Sequence, residues 1–312
     1  MGAAGRLFVG GGLSGYFDEE PRKWRMTGEL VSTVGVAMEI ATTLYPKSFL
    51  LLAGVGTLAK SVGKGMGRPA FRVIQQHFAK GNNVGDVAAK EEVWEVTGQM
   101  LGIAVTIAVL KLLEDQESVD AFLATWAVFA SSHLYLRYLS LRALRFSSFN
   151  QKRACILVSH HVSGLPIPGV DDGNLLEPVL GAREEVSPRV LLGCTVSEAL
   201  AGGSIRLAAA LSVYRQENYL LLWHGSTGQV VLKEHCGPQD KLKALWQAAW
   251  LQQKGLDTAN VTDLRDSLAA AEEHWPGFLH DAEQLGWDVN NVIIRPTSDV
   301  YITHNDPSAD QR

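Results

Sequence analysis

Residues 45–90 read YPKSFLLLAGVGTLAKSVGKGMGRPAFRVIQQHFAKGNNVGDVAAK, and the parsing of this stretch decides the fold. Ser48 to Ala59 is nearly all apolar at helical length, with Pro46 breaking the chain before it and Ser48 placed to cap it. Gly63, Gly65 and Gly67 then alternate with Lys64, Met66 and Arg68, a composition that predicts a flexible basic turn. Phe71 to Lys80 reads as a further helix, and it ends in a polar Gly81-Asn82-Asn83 turn.

Such a glycine run invites comparison with a phosphate loop. That pattern needs Ser or Thr after the lysine and a buried strand before the glycines. Here Gly65 follows Lys64 and a helix precedes, so the residues argue against a nucleotide cradle. Lys60, Lys64, Gly65, Gly67, Arg68 and Arg72 are read instead as a recognition turn, facing lipid phosphates or an acidic partner.

On the upstream side, Leu30 to Leu44 is predicted helical. Met1 to Gly15 holds neither the h-region of a secretory signal nor the Ser and Arg of a transit peptide. Its glycine run resembles the tail of a helix, which suggests a truncated gene product. Downstream, Val87 to Leu113 and Val119 to Leu144 are long apolar helices joined by an acidic turn with Glu114, Asp115 and Glu117. Each is short for a spanning helix, which needs about 20 apolar residues. Gly98 and Gly102 nevertheless make a GxxxG step suited to helix packing, and Lys111 can snorkel. Lys60, Lys64, Arg68, Arg72 and Lys80 precede this hairpin and Arg137, Arg142, Arg145, Lys152 and Arg153 follow it, so a double crossing puts both basic clusters on one side. The competing reading is a buried αα-hairpin in a soluble bundle.

The expected organisation is a membrane-associated, mainly α domain over residues 1–150, a linker over 151–190 and a small α+β module over 191–312. Four prolines between Leu165 and Pro188 prompt the linker. In the module, Tyr219–His224 and Gln229–Glu234 predict a hairpin around Gly225-Ser226-Thr227-Gly228. A helix from about Gln239 follows, with Leu242, Leu245, Trp246, Ala249 and Trp250 on one stripe. Another spans Thr262, a candidate N-cap, to Leu285, kinked at Pro276, and Val289–Arg295 offers a third strand.

The 312 residues carry a net charge of -5, which argues against nucleic acid as the main partner. Cys155, Cys194 and Cys236 read as three reduced thiols. No cofactor and no metal is expected: His160-His161 reads as a solvated loop pair, and His274 with His280 misses helical ligand spacing. Cys194 with Ser197 lacks a base fixed by spacing, and no catalytic constellation emerges.

Taken together, the blocks from Pro46 to Gly102 resemble the conserved centre of the root UVB sensitive family. The resemblance rests on Pro46, Lys47 and Phe49; Lys60 and Gly63 to Gly67; Arg72 and His77; Asn82 and Asn83; Asp86, Lys90 and Glu91; and Gly98 and Gly102. The run from Glu217 to Leu251 is similar to the family's closing module, and Gly5-Arg6-Leu7 echoes the end of an upstream helical region. The resemblance implies a helical, membrane-associated protein tied in plants to ultraviolet-B response, seedling development, auxin and vitamin B6 homeostasis, and with no catalytic constellation in the chain it is read as a non-enzymatic regulator. The resemblance also implies plastid association, and partnership with membrane lipid and another member of the same family. The alternative is a transporter, since the glycine-rich segment after an apolar helix also resembles the inter-helix loop of major facilitator carriers. A transporter aims Glu39, Lys60, Arg72, Gln76 or Glu95 into an intramembrane cavity; in a regulator they pair at an interface or meet solvent.

Overall fold

The computed structural model describes residues 16–302 except 82, 114–117, 204 and 299. Gly5-Arg6-Leu7, Asn82 and the acidic turn Glu114, Asp115 and Glu117 therefore lie outside the described residues. The protein is mainly helical, with a small sheet region towards its carboxy terminus, and divides into two units, Met1–Ala143 and Leu144–Arg312.

The first unit contains one turn of helix, Tyr16–Glu19 (α1), then Pro21–Ile40 (α2), Phe49–Phe78 (α3), Val84–Leu113 (α4) and Val119–Ala143 (α5). Pro21 starts α2 at a position where its missing N–H costs nothing. Two 3-10 turns, Ala41–Thr43 and Pro46–Ser48, reverse the chain between α2 and α3. Ser48 occupies the N-cap position of α3, although its side chain makes no capping hydrogen bond.

The glycine-rich segment is not a turn. It lies inside α3, which continues unbroken through Gly63–Gly67 and carries Pro69 in its interior. Packing against α2 supplies the reason. Gly28 and Gly35 on α2 are two helical turns apart, as are Gly56 and Gly63 on α3, so each pair shares a face. The two faces meet in antiparallel register. A Cβ on Gly35 would stand 2.6 Å from the carbonyl oxygen of Gly56, and one on Gly56 2.7 Å from that of Gly35. Glycine normally weakens a helix by about 1 kcal/mol per residue. Here backbone-to-backbone contact along the seam repays that weakness, because only glycine permits so close an approach. Phe17 and Ala70, with Trp24, Val62 and Met66, fill a small core beside it.

Two long helices appear where expected, as α4 and α5. Near its start α4 is tied to α3 by Gln75 Nε2, which donates to Glu91 at 2.8 Å. Beyond that point its apolar side chains are exposed, among them Trp94, Met100, Leu101, Ile103, Val105, Ile107 and Leu110. One helix, Val84–Leu112, is long and apolar enough to cross a membrane among the described residues.

The second unit begins before the expected linker and absorbs it. Ser148–Phe149 (β1) precedes Gln151–Val162 (α6) and Val170–Leu176 (α7); Val190–Leu192 (β2), Val196–Leu200 (α8) and Leu207–Val213 (α9) follow. Then come Tyr219–His224 (β3), Thr227–Lys233 (β4), Pro238–Gln253 (α10), Val261–Gln284 (α11), Asp288–Val292 (β5) and Tyr301–Ile302 (β6). Residues 151–190 cannot act as a spacer, because Cys155, Leu157 and Val158 sit in the same core as Trp223, Trp246 and Trp287.

The predicted hairpin is present, with a tighter connection than the four residues proposed. Gly225 and Ser226 alone turn the chain, both at positive φ (54° and 58°), and Thr227 already pairs with His224. That geometry matches the strand twist. On the other edge of β4, β2 pairs near its start and β6 near its end, both parallel. The expected third strand does not join this hairpin; β5 pairs in parallel with β1. Leu242, Leu245, Trp246 and Ala249 on α10 are buried, as the stripe predicted. The cap of α11 is Asn260 rather than Thr262: its Oδ1 accepts from the backbone N–H groups of Thr262 and Asp263.

Candidate functional site

The continuity of α3 redistributes the recognition residues. Gly63 and Gly67 face inward, where a Cβ on Gly67 would stand 3.0 Å from Nη1 of Arg25. Gly65 is half-buried. Lys60 is spent on Glu39 of α2, which also accepts from Thr57 Oγ1 at 3.0 Å. Lys64, Arg68 and Arg72 stand one turn apart on the exposed face. None of the three enters an ion pair among the described residues.

The remaining motif residues scatter. His77 meets the Phe78 ring edge-on at 5.1 Å. Asn83 contributes its backbone carbonyl to the first turn of α4, accepting from the N–H of Asp86 and Val87. Asp86 and Lys90 form an exposed i,i+4 pair at 2.9 Å, of a kind worth little to stability. Gly98 and Gly102 do not pack a helix against any described neighbour: a Cβ on either meets nothing within 4 Å.

A charged cluster that the sequence reading missed ties α2 to α5. Glu29 forms ion pairs with Arg25 at 3.2 Å and with Arg137 at 3.4 Å, and its carboxylate lies 3.4 Å from Nε2 of His133. Arg25 also lies 5.1 Å from the Phe71 ring centre, so the cluster reaches α3. The i,i+4 spacing of Arg25 and Glu29 was visible in sequence, whereas the partners on α5 lie more than 100 positions away.

The basic residues after the hairpin divide between surface and core, with Arg142 exposed. Lys152 and Arg153 are buried in the second unit. Arg153 Nη1 pairs with Glu177 at 3.3 Å, Asn150 Nδ2 donates to the same carboxylate at 2.7 Å, and Lys152 donates to the carbonyls of Pro178 and Gly181. Arg145 pairs with Asp171. Burial with partners makes Lys152 and Arg153 structural.

Other candidates resolve as packing. His160 and His161 end a helix rather than lying in a solvated loop; His161 Nδ1 accepts from the indole N–H of Trp246 at 3.0 Å, and burial lowers its pKa. Cys194 is buried, and burial raises its thiol pKa, the opposite of an activated nucleophile. Glu198 caps α8 together with Thr195 and so is committed locally. Among the described residues no three His, Cys, Asp or Glu side chains converge to hold a metal. A groove of about 710 Å³ opens in the second unit, with Ser159, His160, Glu185, Ser187 and Gln252 among its lining. Three of its polar residues bond one another: Ser159 Oγ donates to the Ser187 carbonyl and Gln252 to Ser187 Oγ.

The transporter alternative finds no support here. Glu39 and Lys60 pair with each other, while Arg72, Gln76 and Glu95 are exposed.

A glycine-seamed helical unit followed by a small sheet unit defines a two-module helical protein, and two family models also divide the chain in two, at a boundary that lies after Gln151–Val162 rather than before it. Residues 1–164 match the "Vitamin B6 photo-protection and homoeostasis domain" and residues 166–297 match "Root UVB sensitive protein, C-terminal". The chain belongs to the root UVB sensitive family. It is 36% identical over 97% of its length to protein root UVB sensitive 5 of Arabidopsis thaliana, covering 62% of that relative. It is 25% identical to protein root UVB sensitive 3 of the same plant, over 88% of this chain and 64% of the relative. It is 29% identical to RUS family member 1 of Dictyostelium discoideum, over 61% of this chain and 36% of that protein. The chain thus spans less than two thirds of the length of these relatives. No solved structure matches it.

Proposed function

We propose that this chain is a non-enzymatic, membrane-associated regulator of the root UVB sensitive type. In a plant or alga it acts in ultraviolet-B response, seedling development and auxin and vitamin B6 homeostasis, at a plastid membrane, together with another member of its family. The observation that carries the membrane reading is the exposure of α4. At 100° per residue, Val93, Trp94, Val96, Met100, Leu101, Ile103, Val105, Ile107, Leu110 and Leu112 cover more than half of the helix circumference, and all are exposed. A soluble helix shows a narrower apolar stripe towards its core. Lipid satisfies so wide an apolar surface, while a single docking helix covers one seam of it.

The non-enzymatic part of the proposal is supported by where the candidate groups are spent. Cys194 is buried, His161 is bonded to Trp246, and Lys60 is bonded to Glu39. Alkaline carbonate extraction of the tagged chain tests the membrane claim: retention in the pellet is expected, and release into the supernatant contradicts insertion.

A further inference from the structure

The outer face of α3 changes character along its length. Leu50, Leu51, Val55 and Leu58 are exposed at its amino-terminal end, Leu50 to 85%. Lys64, Arg68 and Arg72 are exposed beyond them. At 100° per residue Leu50, Leu58, Lys64, Arg68 and Arg72 share an arc of about 120°. Apolar and basic residues therefore sit end to end on one face, not on opposite faces.

We propose that this face docks obliquely on an anionic lipid leaflet. The Leu50–Leu58 end enters the acyl layer, and Lys64, Arg68 and Arg72 lie on lipid phosphates. The proposal rests on the membrane-associated reading above and adds a second, lipid-selective contact to it. Leu58 and Leu50 lie about 9 and 21 Å along the axis from Lys64. The headgroup region of one leaflet is about 5–7 Å thick, so a tilted helix with Lys64 at the phosphates carries both leucines past it. Between the two ends Lys60 is neutralised by Glu39, which lowers the cost of the transition. Lys47, at the entry to the helix, has a four-carbon stem that returns its ammonium towards the headgroups. Behind the face the glycine seam holds α3 continuous, so the two ends move as one body. An acidic protein would satisfy the three cations but would not account for the exposed leucines beside them.

The test uses the full chain with Leu50→Cys carrying an environment-sensitive fluorophore, read against an unsubstituted chain taken through the same labelling. Vesicles of phosphatidylcholine with and without phosphatidylserine are compared, with nitroxide quenchers on the acyl chains and flotation measured in parallel. A blue-shifted, acyl-quenched signal that requires phosphatidylserine is expected. Lys64→Ala with Arg68→Ala should raise the vesicle concentration needed for that signal roughly thirtyfold, at about 1 kcal/mol per basic residue. Lys64→Arg with Arg68→Lys, which keeps both charges, should match the wild type. A label that stays in water while the chain still floats overturns this proposal and leaves the membrane reading standing. Equal signals on both vesicle types, or an unaffected double alanine variant, also overturn it. A chain that does not float at all overturns both.

Discussion

Gly28 and Gly63 touch through their backbones: a Cβ on Gly28 would stand 2.6 Å from the carbonyl oxygen of Gly63, and one on Gly63 2.5 Å from that of Gly28. This contact, repeated by Gly35 and Gly56, converts a glycine-rich segment from a flexible loop into the rigid part of the first unit. Gly63→Ala is expected to destabilise the protein by about 1–3 kcal/mol through overpacking. Gly54→Ala, where a Cβ meets nothing within 4 Å, should instead stabilise it by up to about 1 kcal/mol. Thermal unfolding of both variants checks the pair, and equal effects of the two would refute the seam.

The same seam explains why this segment is helical although its composition predicts a turn. Gly63, Gly65, Gly67 and Pro69 are the residues that ordinarily punctuate a chain, and within residues 45–90 nothing contradicts a loop. The contradicting signal lies in α2, where Gly28 and Gly35 repeat the seven-residue spacing of Gly56 and Gly63. By contrast α4, α5 and the β3–β4 hairpin were legible, because their periodicity and turn residues are local. The linker was misplaced because its prolines are local, whereas Asn174, Glu177 and the Pro178 carbonyl bind residues 146–153 across more than 20 positions. Among the site residues Lys64, Arg68 and Arg72 are exposed on one helix face rather than on a turn. The diversion of Lys60 to Glu39 and of Lys152 and Arg153 into the second core was not legible, because it depends on distant partners.

Arg153 and Glu177 form a buried pair, each almost inaccessible to solvent. Arg153→Met alone strands a buried carboxylate and should cost about 3–5 kcal/mol. The double variant Arg153→Met with Glu177→Leu should recover a large part of that loss. Chemical denaturation monitored by tryptophan fluorescence reports on this unit, since Trp223, Trp246 and Trp287 lie in its core.

His161 links protonation to the same core. Burial favours its neutral form, and Trp246 donates to its Nδ1, which must therefore carry no proton. Its folded pKa lies below the ordinary value of about 6.5, so its contribution is complete above that pH and is lost as pH falls towards the lowered value. Wild-type stability should decline on acidification below about pH 6.5, and His161→Gln should lose that part of the pH dependence. A variant with an unchanged pH profile would remove His161 from this role.

The thiols should be inert in the folded chain. Burial raises the Cys194 pKa and pushes that of Cys236 up to about 12. Reaction with an aromatic disulfide reagent at neutral pH should be far slower than for a free thiol, and should become fast in denaturant. Fast reaction of any thiol in the native chain would contradict this.

Cysteine accessibility in intact membranes tests whether the wide apolar surface of α4 faces lipid. Ile103→Cys should be protected from a membrane-impermeant maleimide and become labelled after detergent is added, while Lys90→Cys on the same helix should be labelled without detergent, both read against the native cysteines alone. Rapid labelling of Ile103→Cys in intact membranes, at the rate seen for Lys90→Cys, would contradict the account.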